Sequence, residues 1–256
     1  CASHQGAPLH VEAVSAWLAD LGLGEADLRC GAQATRDKEL KLQMIRDGET
    51  PCQLHNNCSG KHTGFLCQAR HLGAPTEGYI DLSHPVQQRV AEVTADLAGE
   101  DLSAHAIDGC SAPNFGVSLT GLARAMAKIA SAETSLTGAR REAAIALRQA
   151  KAAHPFEVAG EGRACTELMR AMQGRVAIKT GAEAVYVAIV PEKRMGIAVK
   201  IVDGGTRAAE CTIAALLVGL GVLDAEHPAT RMFMNAPILN RRGMECGVIR
   251  PSAGLG

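Results

Sequence analysis

Between Pro8 and Leu21 the apolar residues Val11, Val14, Leu18 and Leu21 recur at helical spacing, and Gly22 follows them. That spacing predicts an amphipathic helix stopped by the glycine. Further helices are predicted over Lys61–Leu72, Pro85–Leu97, Leu119–Ala130, Ala139–Ala152, Gly162–Met172 and Arg207–Leu220. From Arg175 onward the period changes. Val176 and Ile178, then Val185, Val187 and Ile189, then Ile197, Val199 and Ile201 alternate at period two, with turn signals at Gly181 and at 191–194. This predicts three antiparallel strands followed by a helix, and Gly247–Arg250 suggests a further strand. Helices on either side of an antiparallel sheet make an α/β fold of the α+β sandwich kind rather than a doubly wound parallel one. No repeat, low-complexity tract or linker interrupts the pattern, so residues 1–256 read as a single domain.

Composition narrows the picture. With 47% apolar and 21% charged residues, the 256-residue chain can bury a core. Only 3% of residues are aromatic, so that core is aliphatic, and platforms that stack bases or sugars are disfavoured. A net charge of -1 excludes the basic face that a nucleic-acid partner requires. The longest apolar stretch, Thr212–Leu223, is shorter than the ~20 residues of a membrane span. Nine cysteines, an odd number without framework spacing, point to a reducing compartment, and the expected location is cytoplasmic.

Four clusters carry candidate chemistry. Lys179-Thr180-Gly181 closes the first predicted strand and places an ammonium, a hydroxyl and open backbone together, as in the K-T-G element of serine β-lactamases. The run 54–62, Leu-His-Asn-Asn-Cys-Ser-Gly-Lys-His, leads into a helix. It reads as an anion site at a helix N-terminus, as a Cys58/Lys61 pair facing one pocket, or as a polar loop capped by Asn57 or Ser59. Asp108-Gly109-Cys110 follows a possible buried strand at His105–Ile107, and a carboxylate and a thiol two apart would share a face. At the start, Cys1-Ala2-Ser3-His4 offers Ser3, His4 or an N-terminal Cys1 nucleophile. There is no C-x-x-C or H-E-x-x-H, so a metal would need an atypical ligand set, and His84 before Pro85 reads as a turn or helix cap.

Taken in order, Cys1-Ala2-Ser3-His4 with His10, Asn57-Cys58-Ser59-Gly60-Lys61-His62, His84-Pro85-Val86-Gln87, Asp108-Gly109-Cys110, His154-Pro155, Lys179-Thr180-Gly181-Ala182-Glu183 and Asn240-Arg241-Arg242-Gly243 resemble the asparaginase II family, the Rhizobium etli type of L-asparaginase. The resemblance implies a fold related to serine β-lactamases and glutaminases, a homodimer, and hydrolysis of L-asparagine to aspartate and ammonia. It implies that Ser3 and Lys179 form one of two Ser-Lys pairs, with Thr180 nearby. It also implies that Cys58, Lys61 and Cys110 are Zn²⁺ ligands, with Asp108 and His62 beside the substrate.

The sequence departs from the family pattern in places. No S-x-x-K stands where the family's second pair would lie, upstream of Cys1-Ala2-Ser3-His4, so the expectation is a chain that lacks an N-terminal portion of the fold. Gln33 lies where a histidine is usual, Ala184 replaces a glycine and Cys165 an acidic residue. The alternative to an amidohydrolase is a non-catalytic protein that binds zinc or an amino acid.

Overall fold

The computed structural model describes residues 2–102 and 104–255, which divide into two compact units. Cys1–Val117 with Phe156–Gly160 form the first, and Ser118–Pro155 with Glu161–Gly256 the second. Helix is the main element, accompanied by three small antiparallel sheets, compatible with the expected α/β class.

In the first unit, helix α1 (Pro8–Asp20) starts with proline at its first position and buries His10, Val14 and Leu18. Leu21 caps its end and Gly22 turns the chain at φ +68°. Helix α2 (Lys38–Asp47) is absent from the sequence reading because its pattern lacks an apolar stripe, and Met44 alone is buried. Its ends are nevertheless well signalled: Asp37 accepts the Glu39 and Leu40 N–H groups, and Gly48 closes it at φ +68°. Helices α3 (Ser59–Leu72) and α4 (Pro85–Ala98) follow. His84 caps α4 as anticipated, its Nδ1 accepting from Val86 N–H while Nε2 donates to the Pro75 carbonyl.

Strands β1 (His105–Ile107) and β2 (Pro113–Phe115) make a two-stranded sheet. The expectation of a buried strand at His105–Ile107 is corrected: the strand exists, but all three residues are exposed, Ile107 at 67%. The core of this unit gathers Val14, Leu18, Leu28, Cys30, Leu66, Tyr79, Cys110 and Ala112. The ring of Phe156 stacks on His10 (4.9 Å), which in turn stacks on His4 (4.6 Å).

The second unit begins with α5 (Leu119–Ala130), α6 (Ala132–Ser135) and α7 (Gly138–Ala153). The helix anticipated over Gly162–Met172 is present as α9 (Ala164–Ala171), and a short α8 (Pro155–Ala159), most of which belongs to the first unit, precedes it. Gly160 at φ +99° and Gly162 at φ +70° break the pattern between them, in a region of backbone space that a helix cannot use.

The period-two segment forms the anticipated meander of β3 (Ala177–Thr180), β4 (Val185–Val190) and β5 (Met195–Lys200). Ala177 and Ile189, paired across β3 and β4, pack with Ala130, Ala152, Met126 and Ile129. Gly196 lets α5 approach β5 so closely that a Cβ there would sit 2.2 Å from the Ala123 carbonyl oxygen. After α10 (Thr206–Gly219) and α11 (Pro228–Phe233), β6 (Ala236–Leu239) and β7 (Glu245–Ile249) pair separately. The C-terminal strand therefore does not extend the meander. Among the described residues no helix is long and apolar enough to cross a membrane.

Candidate functional site

The first unit concentrates its chemistry on the turn that leads into α3. Asn56 is buried: its Nδ2 donates to the Cys30 and Gly31 carbonyls at 2.9 and 3.0 Å, and its Oδ1 accepts from Cys58 N–H at 2.8 Å. Ser59 Oγ donates to the Leu54 carbonyl and accepts from His4 Nε2, whose Nδ1 accepts from Gly6 N–H. Neither Asn57 nor Ser59 caps the helix. Cys58 is the N-cap residue, without a side-chain cap bond, and Lys61 lies three positions on, so the two side chains project to one side.

A second turn supplies the other half. Ser111, at φ +70°, donates its N–H to the Asp108 carbonyl, and Asp108 N–H bonds the Ala112 carbonyl. This bend sets Asp108 Oδ2 3.6 Å from Cys110 Sγ. Lys61 Nζ bridges the pair, 3.0 Å from Cys110 Sγ and 3.3 Å from Asp108 Oδ2. Five of the anticipated residues, Cys58, Lys61, His62, Asp108 and Cys110, are thus brought together from segments almost fifty positions apart.

The two thiols differ in acidity. Cys110 is held far below the ordinary thiol range chiefly by the neighbouring Cys58 thiol, aided by the Lys61 ammonium, which together outweigh the cost of burial. Cys58 is pushed up, because its hydrogen bond to Cys110 and its burial both favour the protonated form. For Lys61, burial works to lower the pKa, but the sulfurs and Asp108 overcome it and hold the ammonium above its usual value. Without a metal, the surroundings of Cys110 favour its thiolate form, with the Lys61 ammonium its nearest cation.

His62 is fully buried. Its Nδ1 meets the Tyr79 hydroxyl at 2.7 Å, and that hydroxyl also accepts Arg29 N–H at 2.8 Å. Tyr79 was not singled out by sequence reasoning. Its signal was scarcity: it is one of two tyrosines in a chain poor in aromatics, and a buried hydroxyl must find partners.

Ser3 lies in the same unit. Its N–H bonds the Val158 carbonyl, and its Oγ accepts from Asn57 Nδ2 at 3.0 Å. Gln33 steadies Asn57, its Oε1 accepting the Asn57 backbone N–H at 3.0 Å. Asn57 and Gln33 are therefore supporting residues that motif spacing did not reveal. Cys1 lies outside the described residues.

Lys179 and Thr180 belong to the second unit, at the end of β3, opposite Val187 and Tyr186. Lys179 Nζ bonds the Thr180 carbonyl. Thr180 N–H donates to Cys165 Sγ at 3.3 Å, and that sulfur also touches the buried Tyr186 hydroxyl at 3.1 Å. Cys165, noted in the sequence only as a departure, thus packs behind the Lys-Thr element.

The donor set in the first unit suits a borderline-soft cation: two sulfurs and an amine are the nitrogen and sulfur ligands that zinc takes. Among the described residues no three His, Cys, Asp or Glu side chains form a metal-binding group, so a cation here requires Lys61 as a donor. The amine must first lose its proton, for which the metal's charge would substitute. On that condition the residues fit.

In comparisons with known proteins, the family model for L-asparaginase II matches residues 1–251. A search of curated proteins returned no match.

Proposed function

Because the chain belongs to the L-asparaginase II family, we propose that it hydrolyses the side-chain amide of L-asparagine to L-aspartate and ammonia. The observation that carries the site assignment is the convergence of Lys61, Cys58 and Asp108 on Cys110. It supports a polar anchor for a zwitterionic small molecule. Asp108, whose side chain is one-third exposed, offers a carboxylate to an α-ammonium group.

The reaction we propose is acyl transfer through a serine activated by lysine, in a fold related to the serine β-lactamases. A serine oxygen attacks the amide carbon, ammonia leaves after taking up a proton, and water then hydrolyses the β-aspartyl ester. Ser3 and Lys179 are the proposed carriers of protons. Because Ser3 Oγ already accepts from Asn57, its own O–H is left to donate, which orients it for proton relay. Thr180 is a further hydroxyl donor for the substrate. Cys58, Lys61 and Cys110 would hold Zn²⁺, and that ion when bound supplies a Lewis-acid anchor that helps orient the substrate. A homodimer and a cytoplasmic location complete the reading.

The test is ammonia release from L-asparagine, run beside metal analysis of the purified chain. The reading expects turnover, with Ser3→Ala and Lys179→Ala each lowering kcat by about 10²-fold or more. Zinc bound at one per chain without ammonia would instead support a non-catalytic zinc- or amino-acid-binding protein. Normal turnover in Ser3→Ala would remove Ser3 from the mechanism.

A further inference from the structure

The first unit also holds two neighbouring polar side chains whose open hydrogen-bonding groups are opposite in kind. Asn57 Nδ2 donates to Ser3 Oγ at 3.0 Å. A hydroxyl that accepts a bond still has its own proton to give, and an amide that donates still has its oxygen to accept with. Among the described residues nothing accepts the Ser3 hydroxyl proton, and nothing donates to Asn57 Oδ1. Both residues are half-buried, and Asn57 Oδ1 reaches solvent. The pair therefore presents one donor and one acceptor, a single hydrogen bond apart.

Neither partner is loosely held. Asn57 donates its backbone N–H to Gln33 Oε1 at 3.0 Å, and it follows the buried Asn56, whose amide ties this turn to the Cys30 and Gly31 carbonyls. Ser3 donates its N–H to the Val158 carbonyl, and the adjacent His4 bonds Ser59 in the same turn. Groups fixed in advance bind a matching ligand without the entropy cost of ordering them. The match for a donor beside an acceptor is a group with an acceptor and a donor on one carbon, which describes a primary carboxamide. A carboxylate carries two acceptors, and one of its oxygens would face Asn57 Oδ1 without a proton between them.

We infer that Asn57 is a specificity-determining residue: its Oδ1 accepts an N–H of the substrate's side-chain carboxamide while Ser3 O–H donates to the carbonyl oxygen of that group. The pair then favours the amide over the carboxylate that hydrolysis leaves. The identity of the substrate rests on the asparaginase reading above; the preference for an amide over an acid does not.

The test compares L-asparagine with L-aspartate, which differ only in that group. In ammonia release by the full chain, KM for asparagine and Ki for aspartate as inhibitor are read in the parent and in Asn57→Ala, a change that keeps the backbone bond to Gln33. In the parent, Ki should exceed KM by about tenfold or more. Asn57→Ala should raise KM about tenfold and leave Ki within about twofold, so that the preference nearly vanishes. A merely structural role would raise both constants together, and that result overturns the proposal, as does an unchanged KM. The parent comparison needs no variant to fold: aspartate bound as tightly as asparagine, or more tightly, would mean that the Asn57 amide presents Nδ2 outward, and the inference is lost. If the parent chain releases no ammonia, the asparaginase reading fails. Calorimetric titration with the two amino acids then decides the amide preference, and equal binding, or binding of neither, refutes it.

Discussion

In the first unit Cys110 is buried in a turn, where it receives a bond from Lys61 and lies beside Asp108, whereas in the second Lys179 ends a strand and bonds the carbonyl of the next residue. The first arrangement depends on two irregular turns whose residues are distant in sequence. The second depends on backbone pairing between β3 and β4, reinforced by aliphatic packing. A site held by turns should fail when a turn is disturbed. One held by a sheet should survive local changes and fail only with the sheet.

The largest effects should come from the two glycines that admit close backbone approach. At Gly196 a Cβ would lie 2.2 Å from the Ala123 carbonyl and 2.3 Å from Ala127 N, both in helix backbone. At Gly6, φ is +70° and a Cβ would lie 2.5 Å from the His55 carbonyl oxygen. Each alanine substitution should cost about 3 kcal/mol or more in urea unfolding, through overpacking. On the proposed zinc reading, only Gly6→Ala should also reduce zinc bound per folded chain, because His55 immediately precedes the Asn56–Lys61 turn. Equal zinc loss in both variants would break the contrast.

Next in size is Arg148→Ala. The guanidinium is nearly buried and donates to the Ile129 and Ala130 carbonyls at 2.9 and 2.8 Å, closing the end of α5. Losing two charge-assisted bonds to carbonyls should cost about 3 kcal/mol in thermal unfolding, with zinc content unchanged. The exposed Glu133, also bound, should add little.

Much of this contrast was legible in the sequence, and the missing parts have physical causes. The meander was readable because Val185, Val187 and Ile189 alternate at period two, although the opposite face of that strand, Tyr186, Ala188 and Val190, is the more deeply buried; α1 was readable because Val14 and Leu18 repeat on one side. Helix α2 was not, since its stability lies in its caps rather than in an apolar stripe. Cys58, Lys61, Asp108 and Cys110 stood out as dense reactive groups, but their convergence depends on loop geometry that no local period encodes. Tyr79 and Asn57 escaped because supporting side chains are defined by what they touch, and Asn57 read as a possible cap until Ser3 appeared beside its amide.

Acid should affect the units in opposite directions. Burial lowers the His10 pKa below 6.5, so the unfolded chain binds the proton more readily. Its stabilisation is present above pH 6.5 and is lost as pH falls below that value. Burial raises the Glu210 pKa above 4.5, so its stabilisation is present below pH 4.5 and is lost as pH rises through the folded value. Urea unfolding at pH 7.5 and pH 5 should show His10→Gln with a smaller acid loss than the parent chain. Glu210→Gln should gain stability chiefly at the higher pH. A His10→Gln variant that keeps the parent's acid sensitivity would move the origin of that sensitivity elsewhere.

The smallest effect tests how much strain the sheet-held element carries. Glu183 and Ala184, which link β3 to β4, have φ values of +55° and +56°, and Ala184 is buried. An L-residue in the left-handed region is strained by about 1–2 kcal/mol, whereas glycine adopts it freely but loses more entropy on folding. Ala184→Gly should therefore stabilise the protein by about 0.5–1 kcal/mol, seen as a rise of a few degrees in Tm. The position is also where the family resemblance places a glycine, so this chain would be moving toward the unstrained turn. Because the strain sits four residues beyond Thr180, its relief should leave the Thr180 N–H bond to Cys165 intact. Slow amide exchange at Thr180 in both chains would show that the Lys-Thr element is held by the sheet, and faster exchange in Ala184→Gly would show that the strained turn helps hold it.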